Sequence, residues 1–155
     1  ILERLNQHLC DYLPDDSFVT MVSIAIDPRT GVIEYVNAGH PPALVFDELG
    51  ACRALGAGEN PALGLTPCGF SSQSDRVSPG EALLLYTDGL TELKDGAGEM
   101  LGGDRLAANF ARIYKALRGG TIEQAGAQLT AMLDAFRGDE FPEDDRAFLL
   151  ARRSL

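Results

Sequence analysis

Cysteine is scarce in this chain of 155 residues, and the few cysteines are poorly placed for structural chemistry. There are three of them, Cys10, Cys52 and Cys68, and none forms a Cys-x-x-Cys pair. An odd number with this spacing argues against a disulfide framework and against a zinc site. We therefore expect reduced thiols, as in a cytoplasmic protein.

Long apolar runs are also missing. No run approaches the roughly 20 apolar residues that a membrane-spanning helix needs, so we expect no membrane insertion. The first five residues resemble neither a signal peptide nor the start of a gene product. The sequence is therefore expected to begin inside a longer protein.

Basic residues are few. The sequence has 13 of them and 23 acidic residues, which gives a net charge of −10. Such a domain repels a phosphate backbone, which argues against nucleic acid as a partner. The acidic balance suits a protein that gathers carboxylates around divalent cations, although most acidic residues of any chain lie on its solvated surface.

The sequence motifs of covalent hydrolysis are absent too. The sequence contains no glycine-rich phosphate loop, no serine nucleophile elbow and no Cys-x5-Arg loop. Covalent phosphatase and hydrolase mechanisms therefore lack their nucleophile motif.

The spacing of apolar residues predicts an α+β domain in which helices pack on a sheet or sheets. The first predicted strand, 18–26, is apolar on both faces, which is typical of a central strand covered on both sides. Thr121 and Gln124 predict a capping box at the start of the last helix. The predicted helices cover 1–13, 104–117 and 121–137, and the predicted strands cover 18–26, 32–36, 43–46, 70–77, 82–86 and 147–151.

Two acidic positions follow or precede buried strands. Asp88 and Gly89 lie at the exit of strand 82–86, where a rigid element could hold a carboxylate in place for a cation. An Asp-Gly pair is also a common turn, and taken alone the turn is the more frequent case. Glu143, Asp144 and Asp145 precede the last strand. Adjacent carboxylates repel one another unless a cation such as magnesium or manganese offsets their charge, but a solvated acidic loop is the alternative.

A third candidate is the segment from Asn37 to Pro42. His40 follows a glycine and precedes two prolines, so its backbone is stiff and the direction of its imidazole is fixed. The residues alone leave three roles open for it, namely a ligand, a proton-transfer group or the anchor of a turn.

Taken together, these landmarks resemble the sporulation stage II and stress-response serine phosphatases, a bacterial branch of the metal-dependent (type 2C) protein phosphatases. The resemblance covers nearly the whole chain. The strings that carry it are Phe18-Val19-Thr20-Met21, Asp27-Pro28-Arg29-Thr30-Gly31, Asn37-Ala38-Gly39-His40-Pro41-Pro42, Leu63-Gly64-Leu65, Tyr86-Thr87-Asp88-Gly89-Leu90-Thr91-Glu92 and Asp144-Asp145-Arg146-Ala147-Phe148.

The resemblance implies an antiparallel β-sandwich flanked by helices, in α-β-β-α layers. Residues 1–155 would form the C-terminal portion of one such domain, with the N-terminal part and its first metal-binding aspartate missing. The metal ligands implied are Asp88, Asp144 and Asp145, and the residues implied to line the site are Asn37, Gly39, His40 and Gly89.

The function implied is hydrolysis of phosphoserine or phosphothreonine by a water that two Mn²⁺ or Mg²⁺ ions activate. The expected substrate is a phosphorylated anti-anti-sigma-type protein, and the expected controller is an upstream sensor or receiver domain in the same chain. The fragment alone is expected to be inactive. The alternative is a catalytically dead, phosphatase-like module that binds a partner without hydrolysis.

Overall fold

The computed structural model describes residues 1–56, 60–137 and 145–154, which fall into two compact units. Residues 1–42 and 54–76 form the first unit, and residues 43–53 together with those after 76 form the second. No helix within the described ranges is long and apolar enough to cross a bilayer. The elements are α1 (Leu2–Tyr12), β1 (Met21–Ile26), β2 (Val32–Ala38), β3 (Ala43–Phe46), β4 (Cys52–Leu55), β5 (Gln73–Arg76), β6 (Ala82–Tyr86), α2 (Asp88–Thr91), α3 (Gly102–Ala116), α4 (Ile122–Arg137) and β7 (Phe148–Arg152).

The first unit contains an antiparallel sheet of three strands in the order β1-β2-β5. The predicted hairpin is confirmed, since β1 and β2 pair from Met21 with Ala38 to Ile26 with Ile33. Gly31 closes the connecting turn with a φ of 74°, which costs glycine little, and its N–H donates to the carbonyl of Asp27 at 2.7 Å. The turn residues of the sequence therefore set the register of this hairpin.

The prediction that residues 18–26 form a central strand covered on both sides is wrong. β1 begins only at Met21, and it lies at the edge of its sheet with β2 as its neighbour. Phe18, Val19 and Ile26 are 55%, 41% and 50% exposed. Aromatic and β-branched residues favour a strand, but they do not determine how many neighbours that strand has.

Helix α1 is held by a buried asparagine, which the apolar spacing did not reveal. Asn6 is fully buried; its Nδ2 donates to the carbonyl of Thr66 at 2.9 Å, and its Oδ1 accepts from the N–H of Gly64 at 2.8 Å. Satisfying both ends of a buried amide avoids the cost of an unpaired polar group. The helix is therefore fixed to the 64–66 segment by hydrogen bonds as well as by packing.

The second unit contains an antiparallel sheet in the order β4-β3-β6-β7, with β6 as an inner strand. As predicted, β6 is almost entirely buried, and helices α3 and α4 pack with β3 and β6 around one apolar core. The α+β class with antiparallel sheets is thus confirmed. Strand β4 was not predicted, because it lies within a stretch rich in glycine and proline.

The predicted capping box at the start of α4 is confirmed. The N–H of Thr121 donates to Gln124 Oε1 at 2.9 Å, and the N–H of Gln124 donates to Thr121 Oγ1 at 3.3 Å. The two side chains thereby satisfy two N–H groups that the helix itself cannot pair.

We expect Thr121→Ala to lower the free energy of unfolding by about 1 kcal/mol, the usual cost of losing an N-cap. Thr130→Ala is the matched control, because the hydroxyl of Thr130 donates only to the Gly126 carbonyl within the same helix. The measurement is the urea midpoint of both variants. Equal shifts at the two positions would contradict a capping role for Thr121.

Candidate metal centre

The candidate centre is built where β6 and β7 end side by side. The paired strands run to Tyr86 opposite Phe148, and Thr87 then continues the contact by hydrogen bonds. Its N–H donates to the Ala147 carbonyl at 3.0 Å, and its hydroxyl accepts from the N–H of Ala147 at 3.0 Å and donates to the Asp145 carbonyl at 3.1 Å. Thr87 therefore fixes the backbone on both sides of the strand end.

This junction places two of the predicted acidic residues at the same end of one strand pair. Asp88 directly follows Thr87, and Asp145 is the residue whose carbonyl Thr87 binds. Asp88 and Asp145 are both exposed residues, so water and ions can reach this end of the strand pair. Residues that are almost sixty positions apart in the sequence are thus brought together by β-pairing.

Asp88 is held rigidly because it opens the one-turn helix α2. Its carbonyl accepts from the N–H of Glu92 at 2.8 Å and from the hydroxyl of Thr91 at 2.9 Å. Its Oδ1 accepts from the N–H of Gly89, which is buried, at 3.1 Å. The backbone of Asp88 is thereby fixed by both the strand and the helix that meet there.

The segment after Asp145 is tied to helix α4. Both terminal nitrogens of Arg146 lie 3.3 Å from Asp134 Oδ1, in a half-exposed ion pair. The predicted ligand Asp144 lies outside the described residues, as does Glu143. Asp144 is, however, the immediate neighbour of Asp145, whose position Thr87 and Arg146 set.

The chemistry of these donors fits a hard cation. Exposed carboxylate oxygens are what Mg²⁺ and Mn²⁺ prefer, and such ions keep part of their water shell. Within the described ranges, no group of three or more histidine, cysteine, aspartate or glutamate side chains converges to hold a metal. The described residues alone therefore do not form a complete metal site, and the role of Asp88 and Asp145 as ligands stays a prediction.

The neighbouring tyrosine carries no charge at this edge. Tyr86 is buried, and burial raises the pKa of its phenol, with the nearby Cys52 thiol raising it further. A phenol with a raised pKa stays protonated at neutral pH. Among the described residues at this strand end, the acidic side chains are those of Asp88 and Asp145.

The third candidate, the turn around His40, lies in the first unit, whereas Asp88 and Asp145 lie in the second. Asn37 is buried and brackets His40: its Oδ1 accepts from the N–H of His40 at 2.8 Å, and its Nδ2 donates to the His40 carbonyl at 2.8 Å. The imidazole Nδ1 is hydrogen bonded to Thr20 Oγ1 at 3.1 Å. The direction of the ring is therefore set by side-chain hydrogen bonds as well as by the prolines.

Gly39 makes this turn possible. Its φ of 67° is one that other residues avoid, and a Cβ at this position would lie 2.9 Å from the Cβ of Ala62. The close approach leaves no room for a side chain. The glycine of the Asn-Ala-Gly-His string is thus required by the backbone and by its packing.

Three residues that shape these sites were not predicted from the sequence. Thr87 could have been found, because it directly precedes Asp88 at the end of a buried strand. Thr20 and Asn60 gave no such signal, since one lies in an apolar run and the other in a loop rich in glycine and proline. Their contacts with the His40 turn depend on tertiary structure.

Comparison with known proteins places the chain in a family. A profile of the family described as Stage II sporulation protein E (SpoIIE) matches residues 1–154. Protein IcfG of Synechocystis is 36% identical over 98 residues, which are 60% of this chain and 15% of that protein. Phosphoserine phosphatase RsbP of Bacillus subtilis is 34% identical over 96 residues, which are 59% of this chain and 24% of that protein.

The chain thus spans a quarter or less of these two relatives. Among solved structures, the RsbU and RsbW domains of Rv1364c from Mycobacterium tuberculosis match 98% of this chain and 40% of their own, with 26% identity and a TM-score of 0.76. The SiaA-PP2C domain of Pseudomonas aeruginosa shares the fold, with 21% identity and a TM-score of 0.74 over 95% of this chain and 57% of its own. The chain therefore belongs to the SpoIIE family, the type 2C-like serine phosphatases that its landmarks resemble.

Proposed function

We propose that the protein to which this chain belongs hydrolyses phosphoserine or phosphothreonine on a regulatory protein, with the help of two Mn²⁺ or Mg²⁺ ions. The observation that carries the proposal is the Thr87 junction, because it brings Asp88 and Asp145 to one end of the β6–β7 pair. The family match over residues 1–154 and the name of RsbP, a phosphoserine phosphatase, support it.

The residues that would hold the ions are Asp88, Asp144 and Asp145, with further ligands from outside the described residues. When bound, such ions supply Lewis acidity, which lowers the pKa of a water and offsets the charge of phosphoryl oxygens. Asp88 would contribute a carboxylate from a residue whose backbone is held by the hydrogen bonds of α2. The N–H of Gly89 would fix one oxygen of that carboxylate. The residues proposed to line the site are Asn37, Gly39, His40 and Gly89.

The proposed substrate is a phosphorylated anti-anti-sigma-type protein, and the proposed controller is a sensor or receiver domain in the same polypeptide. The support comes from RsbP and from the Mycobacterium tuberculosis protein in which an RsbU domain and an RsbW domain share a chain. The net charge of −10 favours a protein partner over nucleic acid. We place the reaction in the cytoplasm, where such a partner would be found.

The test is the release of phosphate from a phosphorylated anti-anti-sigma-type protein by the full-length protein. We expect no turnover after the metals are removed by chelation, and recovery when Mn²⁺ or Mg²⁺ is added back. Turnover that continues without metal would reject the mechanism. Binding of the phosphorylated partner without any turnover, with metal present, would favour the dead module.

A second expectation concerns Thr87. We expect Thr87→Val in the full-length protein to weaken Mn²⁺ binding by about tenfold, because residues that orient metal ligands typically contribute that much. Valine keeps the shape of threonine but cannot bind the Asp145 carbonyl or the N–H of Ala147.

Isothermal titration with Mn²⁺ measures this effect, and Thr130→Val serves as the control. The hydroxyl of Thr130 makes a contact within α4 alone. Unchanged Mn²⁺ affinity in Thr87→Val, or an equal loss in the control, would refute the role assigned to Thr87.

A further inference from the structure

Asn60 lies against the segment that carries His40. It is one of the three buried polar residues of the described chain, and it bonds in two directions. Its Oδ1 accepts from the N–H and hydroxyl of Ser71 at 2.9 and 3.3 Å. Its Nδ2 donates to the Asn37 carbonyl at 3.0 Å and to the Ser71 carbonyl at 3.2 Å.

These contacts continue directly into the turn. Asn60 holds the main chain of Asn37, and the side chain of Asn37 holds the main chain of His40 on both sides. The ring of His40 is then bonded to Thr20. Hydrogen bonds therefore lead from Ser71 through two buried asparagines to the main chain of His40, all within the first unit.

The backbone of segment 60–62 also packs closely against the backbone of residues 38 and 39. Asn60 forms a bridge with Ala38, and Ala62 lies so near Gly39 that even one added carbon would clash. Segment 60–62 therefore packs directly against the turn and restricts its backbone. A buried polar network in which every partner is satisfied holds one arrangement, since each alternative leaves a polar group unpaired.

We propose that Asn60 is a positioning residue for the phosphatase reaction, which acts by holding the Asn37 carbonyl and, through it, the direction of His40. This rests on the proposed function, in which His40 lines the site. His40 sits on a connecting segment, and connecting segments move more readily than the strands that they join. The amide of Asn60 restricts that movement, so the imidazole is held in one orientation.

Two substitutions test separately the contact of Asn60 with the Asn37 carbonyl and its contact with the Ser71 hydroxyl. Asn60→Asp is nearly isosteric and keeps the oxygen that accepts from Ser71, but an ionised carboxylate cannot donate to the Asn37 carbonyl. Ser71→Ala removes only the hydroxyl contact and leaves the Asn37 half intact. Because Asp at a buried position can destabilise the fold, Asn60→Ala is made in parallel, and thermal unfolding of each variant is measured.

In the full-length protein, we expect Asn60→Asp and Asn60→Ala to lower kcat about tenfold, the scale of a modest loss of orientation, with KM within about twofold. Ser71→Ala is expected to keep the wild-type kcat. In a His40→Ala background, the substitutions at Asn60 are expected to cost nothing further, since residues that act through one another are not additive. Additive losses, or an equal loss in Ser71→Ala, would overturn the proposal.

Amide hydrogen exchange supplies a second readout that needs no activity. We expect the N–H of His40 to exchange at least about tenfold faster in Asn60→Ala, because loss of the Asn60 contact loosens the main chain of Asn37, whose side chain accepts from that N–H. Unchanged exchange would overturn the proposal even if kcat fell. If the wild-type protein shows no metal-dependent turnover, the proposed function fails on its own, and the exchange experiment still decides whether Asn60 holds the turn.

Discussion

Replacing Asp88 with asparagine is expected to reduce phosphatase turnover of the full-length protein by at least about a hundredfold. Residues that merely orient metal ligands are worth 10- to 100-fold, so loss of a ligand charge should cost as much or more. Asparagine has nearly the shape of aspartate and can still accept from the N–H of Gly89. The fold should therefore persist while Mn²⁺ binding and hydrolysis fall together.

The matched control is Asp104→Asn, which removes one negative charge from an exposed aspartate in the first turn of α3. Phosphate release and Mn²⁺ titration are measured for both variants, with circular dichroism to verify the fold. Full activity in Asp88→Asn would refute the assignment of Asp88 as a ligand. An equal loss in Asp104→Asn would instead attribute the effect to net charge.

Truncation of Phe110 is expected to have the largest effect on stability. The ring is fully buried, meets the ring of Phe46 edge-on with centroids 4.8 Å apart, and stacks on Tyr114 at 6.1 Å. Phe110→Ala removes these contacts and leaves a cavity between β3 and α3. We expect a loss of about 3 to 5 kcal/mol in the free energy of unfolding.

Thermal unfolding of the variant measures this loss, which corresponds to a drop in Tm of about 10 °C for a chain of this size. Leu49→Ala is the control, because Leu49 lies in the turn between β3 and β4 and is 64% exposed. Its cost should stay within about 0.5 kcal/mol. A similar drop in Tm for both variants would contradict the core assigned to the second unit.

The inner strand and the long helices could be predicted because periodicity reports burial directly. Strand 82–86 is a continuous apolar run and proved to be the inner strand β6, and the predicted helices 104–117 and 121–137 correspond to α3 and α4. The capping pair of Thr121 and Gln124 is a local feature, so its sequence signature was sufficient. Periodicity and capping patterns are reliable where residues contact others that are close to them in the sequence.

Position in a sheet and buried polar contacts could not be predicted in the same way. Strand β1 has the composition of a central strand but lies at an edge, because its neighbours are determined by distant segments. Asn6 and Asn60 are buried polar residues whose hydrogen-bond partners include backbone groups more than ten positions away. Nothing in the spacing of apolar residues encodes such pairings.

For the candidate metal centre, the sequence predicted the residues but not what holds them. Asp88, Asp144 and Asp145 were identified by the resemblance and by their place next to strands. The structure adds the hydroxyl of Thr87, which links the two strand ends, and the Arg146–Asp134 ion pair beside them. Asp144 lies outside the described residues, and the part of all three aspartates in a ligand set stays a prediction.

Crystals of the full-length protein soaked in Mn²⁺ and measured at the manganese absorption edge would show whether Asp88 binds a metal ion. We expect an anomalous peak about 2.1 Å from a carboxylate oxygen of Asp88, at the end of the β6–β7 pair, and its loss in Asp88→Asn. Strong manganese peaks elsewhere in the domain, with none at Asp88, would contradict the assignment of Asp88 as a ligand.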